Sequence, residues 1–260
     1  MIRTGLLSVT FRQFACHEIV RLASQAGLDA IEWGGDIHVP HGDQAIAREA
    51  AAITADAGLV VASYGSYYRA GVSEDAGLAF ETVRDTAAEL GAPAIRVWAG
   101  NRGSDKADEA YWEAVRHDLH RAGKLAAEAG MEIHLEYHAN TLTDSRISVQ
   151  RLMSALEHPA IRMNWQPPTA WSVEERLAGL RDILPRLASL HVFQWEPGVR
   201  LPLAEGAAEW AAYFELVAQT GRSHYAMLEF VREDDPGQFL TDAGELQRLV
   251  AGRDQRNEDN

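Results

Sequence analysis

Apolar and polar positions along this chain follow two alternating rhythms. Short runs rich in β-branched and aromatic residues are each followed by a stretch whose apolar residues recur at helical spacing. Leu6 to Phe11 reads as the first strand. Ile19, Val20, Leu22, Ala23 and Ala26 then mark one face of a helix from His17 to Ala26. Gly27 stands where a helix commonly ends in the left-handed conformation, and Gly58, Gly91, Gly130 and Gly221 repeat that position. Pro159 and Pro185 punctuate two other units. The remaining strands are predicted at 30–33, 60–64, 94–98, 132–137, 161–165, 190–193 and 226–230. Eight strands roughly 25–40 residues apart, each with its helix, predict an α/β fold, a single (β/α)8 barrel over residues 1–252. The tail 253–260 has no apolar residue and is expected to fray. A doubly wound sheet is the competing fold. It normally binds a dinucleotide through a Gly-rich first turn, and Thr10-Phe11-Arg12-Gln13 offers none.

Composition narrows the chemistry. At 47% hydrophobic residues, a chain of 260 can bury a sizeable core. A net charge of −14 argues against nucleic acid or an anionic membrane as partner. It fits a small neutral molecule better. No apolar run nears the ~18 residues of a membrane span, and Met1-Ile2-Arg3-Thr4-Gly5 lacks a charged-then-apolar signal pattern. A soluble cytoplasmic protein is expected, with a homo-oligomer left open. One cysteine, Cys16, leaves no internal disulfide and no cysteine-based zinc site. Lys106 and Lys124 are the only lysines, in a loop and a helix, so a strand lysine for imine chemistry is missing.

The polar signal concentrates in Ile133-His134-Leu135-Glu136-Tyr137-His138. His134, Glu136 and His138 share one strand face, with His134 deepest and expected in the core. Active sites of such barrels lie at the C-terminal strand ends. Glu32, Glu136, His138, Asn164, Gln166, His191 and Glu229 all fall on or near those ends. Glu136, His191 and Glu229 sit in otherwise apolar strands, where an unpaired charge costs several kcal/mol. One shared divalent cation would satisfy them together. Two carboxylates, an imidazole and an amide oxygen suit Mn²⁺ best, with Mg²⁺ or Co²⁺ next and Zn²⁺ as a further option. Such a site can polarise a sugar carbonyl and let a neighbouring carboxylate take the α-proton.

Several stretches then resemble one family. They are Gly27-Leu28-Asp29-Ala30-Ile31-Glu32, Leu135-Glu136-Tyr137-His138 with Thr141-Leu142-Thr143-Asp144-Ser145, and Met163-Asn164-Trp165-Gln166-Pro167. Leu190-His191-Val192, Arg200-Leu201-Pro202-Leu203 with Glu205-Gly206, and Met227-Leu228-Glu229-Phe230 follow in order. Over nearly the whole chain they resemble the xylose isomerase-like TIM-barrel superfamily (AP endonuclease 2 family), which holds sugar isomerases, epimerases and endonuclease IV. The resemblance implies a metal held by Glu136, the sixth-strand residue, His191 and Glu229, with Glu136 and Glu229 as the acid/base pair. The sequence departs from the family at the sixth strand, where Gln166 replaces an expected aspartate. It also lacks the extra histidines that the endonuclease branch would need: Ser63-Tyr64-Gly65 and Val97-Trp98-Ala99 end strands three and four, and Thr169 follows Gln166.

Aromatic residues crowd the expected mouth, among them Trp33, Tyr64, Tyr67, Tyr68, Trp98, Tyr137, Trp171 and Trp195, and such rings can hold sugar faces. Trp98, His138, Glu32 and Asn164 are expected to touch substrate. His38 would reach it from the loop after strand two. Arg96 would either pair with Glu32 or Glu136 or face a substrate oxygen. The loops after strands seven and eight hold Glu233-Asp234-Asp235, which would repel phosphate, while Arg200 or Arg232 could hold a carboxylate. The leading expectation is a metal-dependent isomerase or epimerase of a non-phosphorylated sugar or keto-sugar, working through an enediolate. The alternatives are a lyase, decarboxylase or dehydratase using the same site, and a non-catalytic sugar-binding barrel.

Overall fold

A computed structural model describes the backbone of residues 1–258 and the side chains of residues 1–252. Eight parallel strands close into a barrel. They are β1 (Ile2–Leu7), β2 (Ala30–Gly34), β3 (Val60–Arg69), β4 (Ala94–Trp98), β5 (Glu132–Glu136), β6 (Ile161–Trp165), β7 (Leu187–Val192) and β10 (His224–Leu228), with β10 closing against β1. The helices that follow them are α1 (Cys16–Gln25), α2 (Gln44–Asp56), α3 (Phe80–Glu89), α4 (Glu109–Glu128), α5 (Arg146–Ala155), α6 (Val173–Ile183), α7 (Ala207–Ala218) and α8 (Pro236–Glu258). The five glycines expected to end helices all have positive φ, from 64° to 75°. Among the described residues no helix is long and apolar enough to cross a membrane. The expected frayed tail, 253–260, lies outside the residues whose side chains are described.

Alternation along the strands makes two cores. Ile31, Trp33, Ile95, Val97, Leu135, Met163 and Trp165 point outward into the apolar layer beneath the helices. Leu7, Val9, Ala30, Ala62 and Met227 form a smaller apolar cluster in the lumen. Polar residues fill the lumen above it.

Three features differ from the sequence-based expectation. The first strand is Ile2–Leu7, not Leu6–Phe11, because Ile2–Leu6 pair with β10 and Gly5–Leu7 pair with β2. The chain then leaves the sheet as a 3₁₀ turn over Ser8–Phe11. Second, a hairpin of β8 (Gln194–Glu196) and β9 (Val199–Leu201) stands where a loop was expected, turning at Gly198 with φ 81°. Third, β3 runs on past Tyr64, and its pairing with β4 slips between Gly65 and Tyr68. This bulge throws Ser66 and Tyr67 out of register, and Tyr67 takes φ 57°.

Candidate metal centre and active site

The inward faces of β2, β4, β5, β6, β7 and the end of β10 bring Glu32, Arg96, Glu136, Asn164, His191 and Glu229 together, all buried. Arg96 is the hinge of the group. Its Nε donates to Glu32 Oε1 at 2.7 Å and its Nη1 to Glu136 Oε2 at 2.6 Å. Ser63 donates to Glu32 Oε2 at 2.5 Å, and the Trp98 indole N–H donates to Glu136 Oε2. His191 Nδ1 faces Glu136 Oε1 at 3.2 Å and Glu229 Oε2 at 3.6 Å. Both are within charge-attraction range, yet neither meets hydrogen-bond geometry, so Nδ1 is a buried nitrogen with no hydrogen-bond partner among the described residues. On the other side of the ring Asn164 Nδ2 lies 3.4 Å from His191 Nε2, while Asn164 Oδ1 accepts from Ser189 at 2.7 Å. Asn164 therefore sets the orientation of His191.

Burial alone would raise the Glu136 carboxyl, but Arg96 and His191 outweigh it and hold Glu136 well below the usual carboxylate range. Glu32 is likewise lowered against the pull of burial, by Arg96 first and then by His191 and Ser63. Burial would make His191 less basic, yet Glu229 and Glu136 raise it to about 10. Three carboxylates against one guanidinium leave two surplus negative charges when His191 is neutral, which is the charge of one divalent cation.

The chemistry of the donor set fits such an ion. Glu136, His191 and Glu229 offer ligand atoms all within 4.8 Å of one another, and the unpartnered Nδ1 is one of them. A cation must displace the proton from His191. Below about pH 10 that proton is bound, so cation affinity is expected to rise about tenfold per pH unit between pH 6 and 9. Calorimetric Mn²⁺ titrations in buffers of different ionisation enthalpy would measure the proton released, and a pH-independent affinity would contradict it.

Fold and site can now be set beside known proteins. A profile of the family described as xylose isomerase-like TIM barrel matches residues 20–249. The chain belongs to the xylose isomerase-like TIM-barrel family. Over 85 residues this xylose isomerase-like barrel is 29% identical to an inosose dehydratase of Bacillus anthracis, covering 32% of this chain and 28% of that protein. The match thus spans under a third of the curated relative's length. The crystal structure of the probable 3-DHS dehydratase AsbF from Bacillus anthracis superposes with a TM-score of 0.80 at 21% identity, over 95% of this chain and 99% of that one. D-psicose 3-epimerase with D-tagatose from Clostridium cellulolyticum gives 0.74 at 14%, over 95% and 99%. A xylose isomerase-like barrel protein from Mycobacterium smegmatis in complex with magnesium gives 0.73 at 16%, over 96% and 97%. At these identities the structural likeness concerns the fold.

The remaining expected site residues of this family member divide. Trp98 and His138 stack at the mouth, ring centroids 4.5 Å apart. Gln166 is half-buried near them, and its Nε2 donates to the Tyr137 carbonyl at 2.7 Å. Glu32, Arg96 and Asn164 were candidates for touching substrate, but their polar groups are turned onto one another and onto the cluster. His38 is not at the mouth. Trp33 points outward, and His38 packs on that ring at 5.9 Å with Nε2 3.1 Å from the Phe14 carbonyl, on the helix side of β2. Arg200 is not free to hold a substrate carboxylate, because Asp234 accepts from its Nη1 at 2.5 Å. His134 is buried one layer below Glu136, as expected, with Nε2 3.1 Å from Glu132.

Three contributors escaped the sequence, Ser63, Ser189 and Gly65, and Tyr67, expected only among the mouth aromatics, has a place of its own. Ser63 and Ser189 are unremarkable strand residues until their hydroxyls are seen on Glu32 and Asn164. Tyr67 is delivered by the β3 bulge, with Arg96 over its ring at 4.9 Å and Arg12 donating to its hydroxyl at 3.1 Å. Gly65 leaves room for the ion pair, since a Cβ there would stand 2.7 Å from both Arg96 Nη2 and Glu32 Oε1. Gly65→Ala is expected to cost about 1–3 kcal/mol by overpacking. Urea denaturation would measure the loss, and a variant as stable as wild type would show that the pair can shift.

Proposed function

We propose that this barrel is a divalent-cation-dependent dehydratase: it removes the proton α to the carbonyl of a non-phosphorylated keto-sugar or cyclic polyhydroxy ketone, and water is then expelled. The reading rests on the inequality of the two carboxylates beside His191. Glu136 accepts from Arg96 and Trp98, which keeps it ionised and immobile. Glu229 has His191 at 3.6 Å and is the more exposed of the two, so it is the carboxylate able to take a proton from substrate. A two-sided proton shuttle would need Glu136 to carry a proton as well, and a carboxylate held so far below its usual range is a weak base that does not take one up.

Elimination asks for one base and a proton for the departing hydroxyl. His138 Nδ1 lies 2.7 Å from the Ala139 carbonyl, which assigns one hydrogen there; as the imidazolium the ring would carry a second on Nε2, give it to that hydroxyl so that water leaves, and be left as the neutral tautomer, while Glu229 holds the α-proton. Glu136, His191 and Glu229 would hold the cation, with Gln166 Oε1 as a fourth donor and Mn²⁺ the best match to a mostly oxygen set. When bound, the ion supplies Lewis acidity at the carbonyl and balances the surplus charge. The sequence likeness to inosose dehydratases supports the same reading and makes inosose the first substrate to test. Isomerisation or epimerisation is the second reading, favoured by carboxylates standing within 3.2 Å and 3.6 Å of one imidazole nitrogen.

The test is a panel of inosose, 3-keto-sugars and free ketoses given to the protein with Mn²⁺ or with chelator. Metal-dependent growth of a conjugated enone in the ultraviolet is the expected result. Epimer or aldose formation without enone would replace elimination by the second reading. Calorimetry showing no Mn²⁺ binding would overturn both in favour of a non-catalytic barrel.

A further inference from the structure

We propose that the substrate carries a second, uncharged ring, held in a distal pocket beside the cation cluster; this builds on the reading just given. Two residues beyond Glu136, Asn164 and His191, just past the ends of β5, β6 and β7, stand His138, Gln166 and Phe193. His138 stacks on Trp98, whose indole N–H donates to Glu136, so this rim adjoins the cluster. His138, Gln166 and Phe193 line one cavity of about 530 Å³, which spreads outward over the loops after β4, β5 and β6. That volume falls among the pockets of about 300–1,000 Å³ that enclose drug-sized ligands. The cavity's lining does not include Glu136, His191 or Glu229, so a lone sugar with its carbonyl at the cluster lies beside this space and does not occupy it.

The far wall is built to present flat faces. Trp171 meets the Tyr137 ring edge-on at 5.8 Å. Gly179 on α6 makes room for it, because a Cβ there would come within 3.1 Å of Trp171 Cζ3. Trp195 stacks on Phe193 with centroids 4.2 Å apart and planes at 26°. The residues around the cavity include Asp105 and Asp144 but no arginine or lysine. An anionic group is repelled there, whereas an aromatic or sugar ring finds apolar faces with polar edges. Ring-extended keto compounds, such as keto-glycosides, are therefore expected to bind more tightly than single-ring ketones, and sugar phosphates more weakly.

Calorimetry on the Mn²⁺-loaded protein would compare methyl β-D-glucoside, 4-nitrophenyl β-D-glucoside and 4-carboxyphenyl β-D-glucoside. The nitrophenyl glycoside is expected to bind roughly three- to tenfold more tightly than the methyl glycoside, from aromatic stacking. The carboxyphenyl glycoside should lose that gain. Trp171→Ala should remove the gain and leave methyl glycoside binding unchanged. Equal affinity for all three glycosides, no binding of any of them, or an undiminished gain in Trp171→Ala would overturn the distal pocket. The wild-type comparison needs no variant to fold. Cation binding and enone formation from inosose do not involve Trp171, so the dehydratase reading stands or falls separately.

Discussion

Glu229→Gln is expected to lower turnover by about 10²–10⁴-fold, the range for losing a general base, with the barrel still folded. Glutamine keeps the size of the side chain but cannot take a proton, and it removes one of the charges facing His191. Glu136→Gln should behave differently. The carboxylate it replaces accepts from both Arg96 and Trp98, so the amide NH₂ group meets donors and Arg96 loses half of its charge compensation. That variant should lose thermal stability and cation affinity along with turnover. Steady-state kinetics and melting curves on the two proteins separate the roles. Identical behaviour of the pair, or full activity of Glu229→Gln, would refute the division of labour between them.

Arg96→Met is expected to destabilise the fold by about 3–5 kcal/mol, because it leaves Glu32 and Glu136 buried without their shared partner. The effect carries a pH signature. In the native protein both carboxyls sit below their ordinary range, so their contribution is present above about pH 4.5 and is lost as pH falls through the lowered values. Without Arg96, burial is left to raise them, and they regain neutrality by taking up protons as the solution becomes acidic. The stability gap between wild type and variant should be widest at pH 7–8 and narrow towards pH 5. Urea unfolding at both pH values measures it, and a gap that does not change with pH would mean that the two carboxylates are not what the arginine sustains. Arg96→Lys should not rescue, since one ammonium cannot reproduce the Nε and Nη1 contacts to two different partners.

The barrel was legible because its evidence is periodic. Ala94–Trp98 and Ile161–Trp165 begin and end where the apolar runs do. The metal-ligand candidates were legible because Glu136, His191 and Glu229 interrupt such runs, and the fold does converge them. Direction was harder to read. Trp33 follows Glu32 by one residue, so its ring and the His38 that packs on it belong to the opposite side of the sheet. Loop partners were unreadable, as Asp234 on Arg200 shows: that pair joins residues 34 apart through a hairpin whose strands have three residues each. The β3 bulge left no periodic mark, and Tyr67 reaches Arg96 only because two residues slip out of register.

Arg96 holds Glu32 to Glu136, but the last ligand comes with the strand that closes the ring, where Ile2 meets His224 and Leu6 meets Leu228. The centre is thus shared between the middle strands and the closing one, and no short stretch of chain carries all of it. A chain that stops before β10 lacks the Glu229 carboxylate, and with it the base and one of the three ligand candidates.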